Sequence, residues 1–390
     1  MQIYLDYGAT TPTRPEAIAL MQEVMAHQWG NPSSLHQWGG RAATVVERAR
    51  FQVAELLHAA SADSIVFTAG GTEADNLAVM GVAQRYSTPQ HVIISSVEHP
   101  AIAQPVERLH QQGWQVTQLP VNAQGRVNPA DLRAALRTNT VLVSVIFGQS
   151  EVGTLQPIEA LGNIARDHGA VFHTDAVQAA GRLPIDVQQL PVDLLSISSH
   201  KIYGPQGAGA LYVRPGVELK PLLQGGGQEF KLRSGTQAVP TIAGFGLAAQ
   251  MAATELAAES ERLQQLRDRL FQVLCGIDGL EPTGDRVNRL PHHVSLVLRD
   301  ADGIKLSGKT LVRQLNLAGI AASAGSACHS GKLTPSPILT AMGYDDRIAK
   351  GGIRLTLGKH TTLADIDWTG MVFRQIWDRI EKPLLQGELV

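Results

Sequence analysis

The chain has 390 residues, of which 44% are hydrophobic, and a formal net charge of −2. This length and composition predict a globular protein with a large buried core and about two domains. The near-neutral charge provides no basic footprint for nucleic acid and no polybasic patch for a membrane surface, so we expect neither partner.

Short β-branched runs alternate with helical patterns along the first two thirds of the chain. The predicted strands span residues 65–68, 91–96, 115–120, 141–147, 171–175, 194–199 and 208–213. Helical patterns at 131–137 and 158–168 fall between strands, and the nearly all-apolar run 141–147 is typical of a strand covered on both faces. We therefore predict an α/β fold with a mostly parallel seven-stranded sheet between helices.

A proline-free stretch rich in Ala, Leu, Glu and Gln predicts a long helix from 241 to about 277, after which the pattern restarts with a strand at 294–298. Helix and strand signals continue through 365–385. We place the domain change along the long helix. The expected division is a large domain over 15–255 and a smaller α+β domain built from 1–14 and 256–390.

Only two cysteines, Cys275 and Cys328, occur, which excludes a disulfide framework and fits a reducing compartment. The N-terminal residues lack a signal-peptide pattern, and no apolar run approaches the roughly 18 residues of a membrane span. We expect a cytoplasmic protein. Cys275 lies in an apolar helical stretch and is expected to be buried, whereas Cys328 lies among small residues and is expected to be an accessible nucleophile.

Lys201 and Asp175 each follow or end a predicted strand, and together they suggest pyridoxal phosphate chemistry. A lysine can hold this cofactor as a Schiff base, and an aspartate at the end of a buried strand can keep the pyridine nitrogen protonated. Either residue alone would more often be a surface lysine or a turn-forming aspartate. The neighbouring turns support the cofactor interpretation.

The glycine-rich turn at Gly71 and Thr72 follows a strand and opens a helix, so it could receive a phosphate, although a plain connection with Thr72 as a cap is the alternative. Ser198 and His200 could reach the same phosphate. His99 precedes a helix-starting proline at the carboxyl edge of the sheet, where it could stack on a cofactor ring or be an ordinary loop residue.

Two further polar residues have two interpretations each. Gln178 either contacts backbone near a helix start or hydrogen-bonds the phenolic oxygen of the ring. Arg354 alternates with apolar residues on a strand pattern. It either grips a carboxylate with two parallel hydrogen bonds or is an edge arginine.

Nine segments of the chain together resemble the cysteine desulfurases of the class V aminotransferase group, which have the fold type I pyridoxal phosphate scaffold. These segments are 4–12, 30–36, 70–76, 98–100, 173–178, 199–205, 225–229, 233–236 and 325–328. The stretch at about 323–337 resembles the subgroup with a longer, mobile catalytic-cysteine loop, which delivers sulfur to acceptor proteins for iron-sulfur cluster or thiocofactor assembly.

The resemblance implies a homodimer that converts L-cysteine to L-alanine and leaves a persulfide on Cys328, without a metal. It assigns Lys201 the covalent attachment and proton transfers, Asp175 the pyridinium nitrogen, His99 the ring stack and catalysis, and Gln178 the phenolic oxygen. Further implied cofactor contacts come from Gly71, Thr72, Ser198 and His200 around the phosphate, and from Thr236 of the other subunit. Arg354, helped by Asn31, is implied to bind the substrate carboxylate.

One segment departs from the family pattern. Where the family has His-x-Asn-Asn-Glu, this chain has Phe147-Gly-Gln149-Ser150-Glu151, and the second asparagine normally contacts the phenolic oxygen. We hypothesise that Gln149, Gln178 or a water compensates for the shorter Ser150.

Two alternative functions stay open. One is a lyase that releases sulfide from cysteine or cystine, or acts on selenocysteine, without needing Cys328. The other is a weakly active paralogue that serves as a binding or scaffold protein.

Overall fold

The computed structural model describes residues 2–299, 307–325 and 334–381. The strands are β1 Ile3–Tyr4, β2 Ile65–Thr68, β3 His91–Ser95, β4 Gln115–Leu119, β5 Thr140–Ser144, β6 Val171–Asp175, β7 Leu194–Ser198, β8 Gly209–Val213, β9 Leu280–Pro282, β10 His293–Leu298, β11 Ile320–Ala321, β12 Ser323–Ala324 and β13 Gly352–Thr356. The helices are α1 Pro15–His27, α2 Gln37–Leu56, α3 Gly71–Ala83, α4 Pro100–Gln111, α5 Pro129–Ala135, α6 Ile158–His168, α7 Val239–Leu274, α8 Gly308–Leu317, α9 Pro337–Ala341, α10 Asp346–Ala349 and α11 Leu363–Glu381.

Seven strands form the large sheet in the order β2-β8-β7-β6-β5-β3-β4. The strands from β7 to β4 pair in parallel, and β8 is antiparallel to both of its neighbours. Alternate residues of β2 enter different cores: Ile65 and Phe67 pack with α2, α6 and α7, while Val66 packs with α3 and α4. The prediction of a mostly parallel seven-stranded sheet between helices is confirmed.

A second core surrounds the four-stranded sheet β12-β13-β10-β9, whose strands all pair antiparallel. It receives Leu5 from the N-terminal segment, Phe271 from the end of α7 and Phe373 from α11. The 36-residue helix α7 therefore contributes its first half to the large core and its second half to the small one. The division at residues 255 and 256 stays a prediction.

Three local expectations differ from the structure. Strand β5 ends at Ser144, although the amides of Val145 and Phe147 still donate to carbonyls of β6, those of His173 and Asp175. The helix expected at 131–137 starts at Pro129, because Asn128 caps it. The expectation of a buried Cys275 is wrong, because α7 ends at Leu274 and leaves this thiol exposed.

Within the described ranges, every helix is too short or too polar to span a bilayer.

Candidate active site

The carboxyl ends of three parallel strands of the large sheet bring the predicted site residues together. Asp175 is the last residue of β6, Ser198 is the last residue of β7, and His99 follows β3 by four residues. In a parallel sheet these ends share one edge, which is where α/β proteins bind ligands. The fold thus assembles groups that lie a hundred residues apart in the sequence.

Asp175 is buried, and its Oδ1 accepts a hydrogen bond of 2.9 Å from the Val177 amide. Burial raises the pKa of this carboxyl, while the nearby charges of His99 and Lys201 lower it. A buried carboxyl with one free oxygen at the sheet edge suits a cationic ring nitrogen as its partner.

Lys201 ends a short 3-10 segment, Ser199–Lys201, that directly follows β7. Its Nζ donates to the carbonyl of Gly8 at 2.6 Å and to that of Ala9 at 2.7 Å. Burial, followed by the positive charge of Arg354, lowers the pKa of this amine to about 8. An amine with this pKa is a far better nucleophile at neutral pH than an ordinary lysine.

His99 caps the start of α4, where its Nδ1 accepts a hydrogen bond of 3.1 Å from the Ala101 amide. Because Nδ1 is an acceptor, the neutral ring carries its proton on Nε2. Burial lowers the pKa of His99, although the charge of Asp175 opposes this change. The ring is therefore neutral at pH 7 and lies beside Asp175, as a flat group facing a cofactor ring would.

A cavity of about 770 Å³ opens at the N-terminus of α3, next to these residues. Its lining includes four predicted phosphate contacts: Gly71, Thr72, Ser198 and His200. The first N–H groups of α3 have no partners within the helix, and the helix dipole favours an anion at this end.

Gly71 is required for close packing at this cavity. A Cβ on Gly71 would lie 2.8 Å from a methyl group of Val177 and 3.4 Å from Ser198 Cβ.

His200 is a neutral hydrogen-bonding group at pH 7. Its Nδ1 lies 3.1 Å from the Thr10 hydroxyl, and burial lowers the pKa of the ring to about 4.

The chemistry of these donors fits pyridoxal phosphate. A nucleophilic lysine, a buried aspartate and a neutral histidine lie at one sheet edge, and a helix N-terminus with hydroxyl groups lines the adjoining cavity. The aldehyde, ring nitrogen, ring face and phosphate of the cofactor would each find a group of the required type.

Arg354 lies on β13 and is held on two sides. Its Nη2 donates to Asp6 Oδ1 at 2.8 Å and its Nη1 donates to the Ser150 carbonyl at 3.0 Å, while its buried Nε has no partner among the described residues. Its charge acts on Lys201, so the two cations share one site. A substrate carboxylate is a suitable partner for the N–H groups that these two hydrogen bonds do not use.

Other predicted residues have different surroundings. Gln178 Nε2 donates to the Gly8 carbonyl at 2.9 Å. Asn31 is exposed and caps a turn by accepting from the Ser33 amide, and Thr236 is exposed before α7. Their roles at the site stay predictions. Cys328 lies outside the described residues.

Gln149 holds a turn through both ends of its side chain. Its side-chain oxygen accepts from the amides of Glu151 and Val152, and its side-chain nitrogen donates to the Val97 carbonyl. The side-chain nitrogens of Gln149 and Gln178 each have a second N–H group, so compensation for Ser150 by either residue or by a water stays a prediction.

The sequence interpretation missed Asp75, which is buried on α3 within reach of His99 and Asp175. One signal could have identified it. Asp75 lies four residues after Gly71, so both residues share the helix face that packs on the sheet.

Comparisons with known proteins agree with this geometry. A family model described as aminotransferase class-V matches residues 3–368. The cysteine desulfurase IscS of Dictyoglomus turgidum is 42% identical over 381 residues, which cover 97% of this chain and 95% of the relative. The cysteine desulfurase IscS of Methanosarcina thermophila is 43% identical over 366 residues, with 94% and 89% covered.

Solved structures are similar over nearly the same length. One described as a NifS-like protein has a TM-score of 0.89 and 34% identity, covering 96% of this chain and 99% of that chain. A NifS-like protein from Rickettsia africae has a TM-score of 0.87 and 31% identity, with 97% and 100% covered.

Proposed function

The chain belongs to the class-V aminotransferase family as a pyridoxal-phosphate-dependent cysteine desulfurase, and we propose that Lys201, Asp175 and Cys328 carry its reaction. L-cysteine is converted to L-alanine. The C–S bond of the substrate breaks, and an S–S bond forms at Cys328 Sγ. The proton released by the Cys328 thiol and the proton removed from the α-carbon are both recovered in alanine, one on the β-carbon and one on the α-carbon, while the substrate thiol proton stays on the outer persulfide sulfur. The nucleophilic Lys201 beside Asp175 and His99 is the observation that carries this proposal.

When bound, pyridoxal phosphate supplies an electron sink for the bonds at the substrate α-carbon. Asp175 would pair with the ring nitrogen, His99 would cover the ring face, and Thr72, Ser198 and His200 would bind the phosphate with the backbone at Gly71. Lys201 Nζ would attach the cofactor and then move a proton between the α- and β-carbons. Its pKa of about 8 lets this nitrogen both accept and release a proton near neutral pH.

We propose that Arg354 orients L-cysteine by its carboxylate, with help from Asn31. Asp6 and the Ser150 carbonyl already fix the guanidinium plane, so the side chain is preorganised and little rotamer entropy is lost on binding. This contact positions the substrate thiol for attack by the Cys328 thiolate.

A homodimer is proposed because apolar side chains are exposed on one segment of the surface. Trp29 is 67% exposed and Leu35 is fully exposed, and both lie next to Asn31 in the turn between α1 and α2. Exposed apolar groups of this size mark interaction surfaces. A partner subunit covering this turn would also bring Thr236 to the phosphate, as the family resemblance implies.

Light scattering would test the dimer. The Trp29→Glu variant should become monomeric, while Val287→Glu, at another apolar residue that is 86% exposed, should stay dimeric. A wild-type mass equal to one chain would refute the dimer.

We further propose a cytoplasmic enzyme that passes the Cys328 sulfur to an acceptor protein for iron-sulfur cluster or thiocofactor assembly. The support is the pair of relatives named cysteine desulfurase IscS and the small-residue sequence around Cys328. An acceptor with a free thiolate would attack the outer persulfide sulfur and release the Cys328 thiolate.

The product balance tests the proposed function. Purified holoenzyme is incubated with L-cysteine and dithiothreitol, and alanine, pyruvate and sulfide are quantified. Alanine and sulfide should form in equal amounts, disappear in Cys328→Ala and persist in Cys275→Ala, which removes the other thiol. Pyruvate that survives Cys328→Ala would establish a lyase, and a loaded but inactive wild type would favour a scaffold protein.

A further inference from the structure

Asp75 is a buried carboxyl that the reaction described above does not use. It lies on α3 with 1% of its surface exposed, and its Oδ1 has no hydrogen-bond partner among the described residues. A buried polar atom without a partner is uncommon and requires an explanation.

Asp75 lies close to Asp175, the aspartate proposed to pair with the cofactor ring. One oxygen of Asp75, one nitrogen of His99 and one oxygen of Asp175 lie within 4.8 Å of one another. The unpartnered Oδ1 is 3.7 Å from Nε2 of His173. The titratable or charged groups facing the Asp75–Asp175 pair are Glu98, His99, His173 and Lys201.

His173 cannot neutralise this carboxyl. Its two ring nitrogens lie 2.8 Å from the Ser144 hydroxyl and 2.9 Å from the Ser196 hydroxyl. Burial lowers the pKa of His173 to about 3, so the ring is neutral at pH 7. Within the part of the chain that the structure describes, Asp75 therefore has no cation paired with it.

Two buried carboxyls this close cannot both be ionised without a cation between them. Burial raises the pKa of Asp75 well above its usual value, and the charge of Asp175 raises it further. Asp175 is also buried, but the hydrogen bond from the Val177 amide and the charge of Lys201 oppose the increase in its pKa. Asp175 is thus the ionised member of the pair, and Asp75 keeps the proton.

We propose that Asp75 is a positioning residue that acts through Asp175: it holds one proton while the ring site is empty and gives it up when the pyridine ring of the cofactor enters. The O–H bond of Asp75 breaks, and the proton goes to the ring nitrogen if that nitrogen arrives unprotonated, and to solvent if it arrives protonated. Two carboxylates would then be available to the pyridinium. The inference rests on the proposed placement of the ring nitrogen beside Asp175.

Proton counting on cofactor loading tests this role. Calorimetry of pyridoxal phosphate binding to the full-length apo-protein, in buffers of different ionisation enthalpy, gives the protons exchanged. On binding the cofactor, Asp75→Asn should take up more protons than the wild type, by up to one per site. The reason is that the neutral amide of Asn has no proton to release, whereas the Asp75 carboxyl does. Asp75→Ala should give the count of Asp75→Asn. Equal counts for wild type and Asp75→Asn would overturn the proposal.

A measurement on the wild type alone covers the case in which the variants do not fold. Infrared difference spectra of loading should show the loss of a protonated carboxylic-acid band, and an unchanged band would overturn the proposal. A failure of the proposed function would give a different result from a failure of this proposal. If the apo-protein binds no pyridoxal phosphate, the cofactor site is wrong, whereas binding with an unchanged proton count refutes only the role of Asp75.

Discussion

Covalent capture of pyridoxal phosphate by the apo-protein should follow the ionisation of Lys201, because only the neutral amine attacks the aldehyde. The pKa of about 8 makes Lys201 neutral in about 9% of molecules at pH 7 and in about half at pH 8. A lysine with the ordinary pKa of about 10.4 would be neutral in about 0.04% of molecules at pH 7. Burial and the Arg354 charge therefore increase the reactive fraction roughly 200-fold.

Stopped-flow absorbance at constant ionic strength measures this capture across the pH range. The rate should rise about fivefold from pH 7 to pH 8 and level off above pH 9, following the neutral fraction of the amine. Lys201→Ala should show no covalent capture. A midpoint above pH 10 would refute the argument that burial and positive charge depress this pKa.

The Arg354→Met variant tests the electrostatic part of that argument. Removing this positive charge should move the midpoint to higher pH, because Arg354 is the largest influence after burial. Arg182→Met should cause a smaller shift in the same direction, since its charge acts on Lys201 more weakly. An unchanged midpoint in Arg354→Met would mean that burial alone sets the pKa.

Three further substitutions have defined outcomes. Ser150→Asn should leave cofactor affinity, measured by equilibrium dialysis, and turnover nearly unchanged, and a large gain in either would show that nothing compensates for the missing asparagine. Arg354→Lys should raise KM for L-cysteine roughly 10- to 100-fold, because the substrate carboxylate loses a charge-assisted hydrogen bond. The cofactor affinity of this variant should not change. An unchanged KM would exclude Arg354 from substrate binding. Glu229→Gln should lower the free energy of unfolding, measured by denaturant titration, by about 3–5 kcal/mol. The reason is that Glu229 forms an ion pair with the buried Arg50 at 2.6 Å. A loss below about 1 kcal/mol would show that this pair contributes no more than a weak surface contact.

Much of the large domain could be predicted because its strands are short apolar runs bounded by polar site residues. The predicted strand ending at Asp175 has the same bounds as β6, since buried parallel strands leave an unmistakable apolar pattern. Strand β5 was predicted too long because residues 145–147 remain apolar, and the amides of Val145 and Phe147 still donate to β6, after the strand ends at Ser144. The apolar pattern reports burial and does not mark where the strand ends.

The features that could not be predicted from the sequence depend on contacts that side chains form only in the folded chain. Gln149 holds a turn by accepting from the amides of Glu151 and Val152 and donating to the Val97 carbonyl, and these contacts have no signature in the sequence. Asp75 was overlooked because its importance depends on its distance from Asp175, which lies a hundred residues away. Cys275 was expected to be buried because it lies in an apolar stretch where the helix was predicted to continue to about 277, whereas α7 ends at Leu274. These features depend on which partner each polar group finds in the folded chain.

The position of the transferred sulfur tests the central claim most directly. The holoenzyme would be treated with L-cysteine without reductant, alkylated and digested, and the peptides analysed by mass spectrometry. We expect one additional sulfur atom on the peptide containing Cys328 and none on the peptide containing the exposed Cys275. Alanine formation without added sulfur on Cys328 would contradict it.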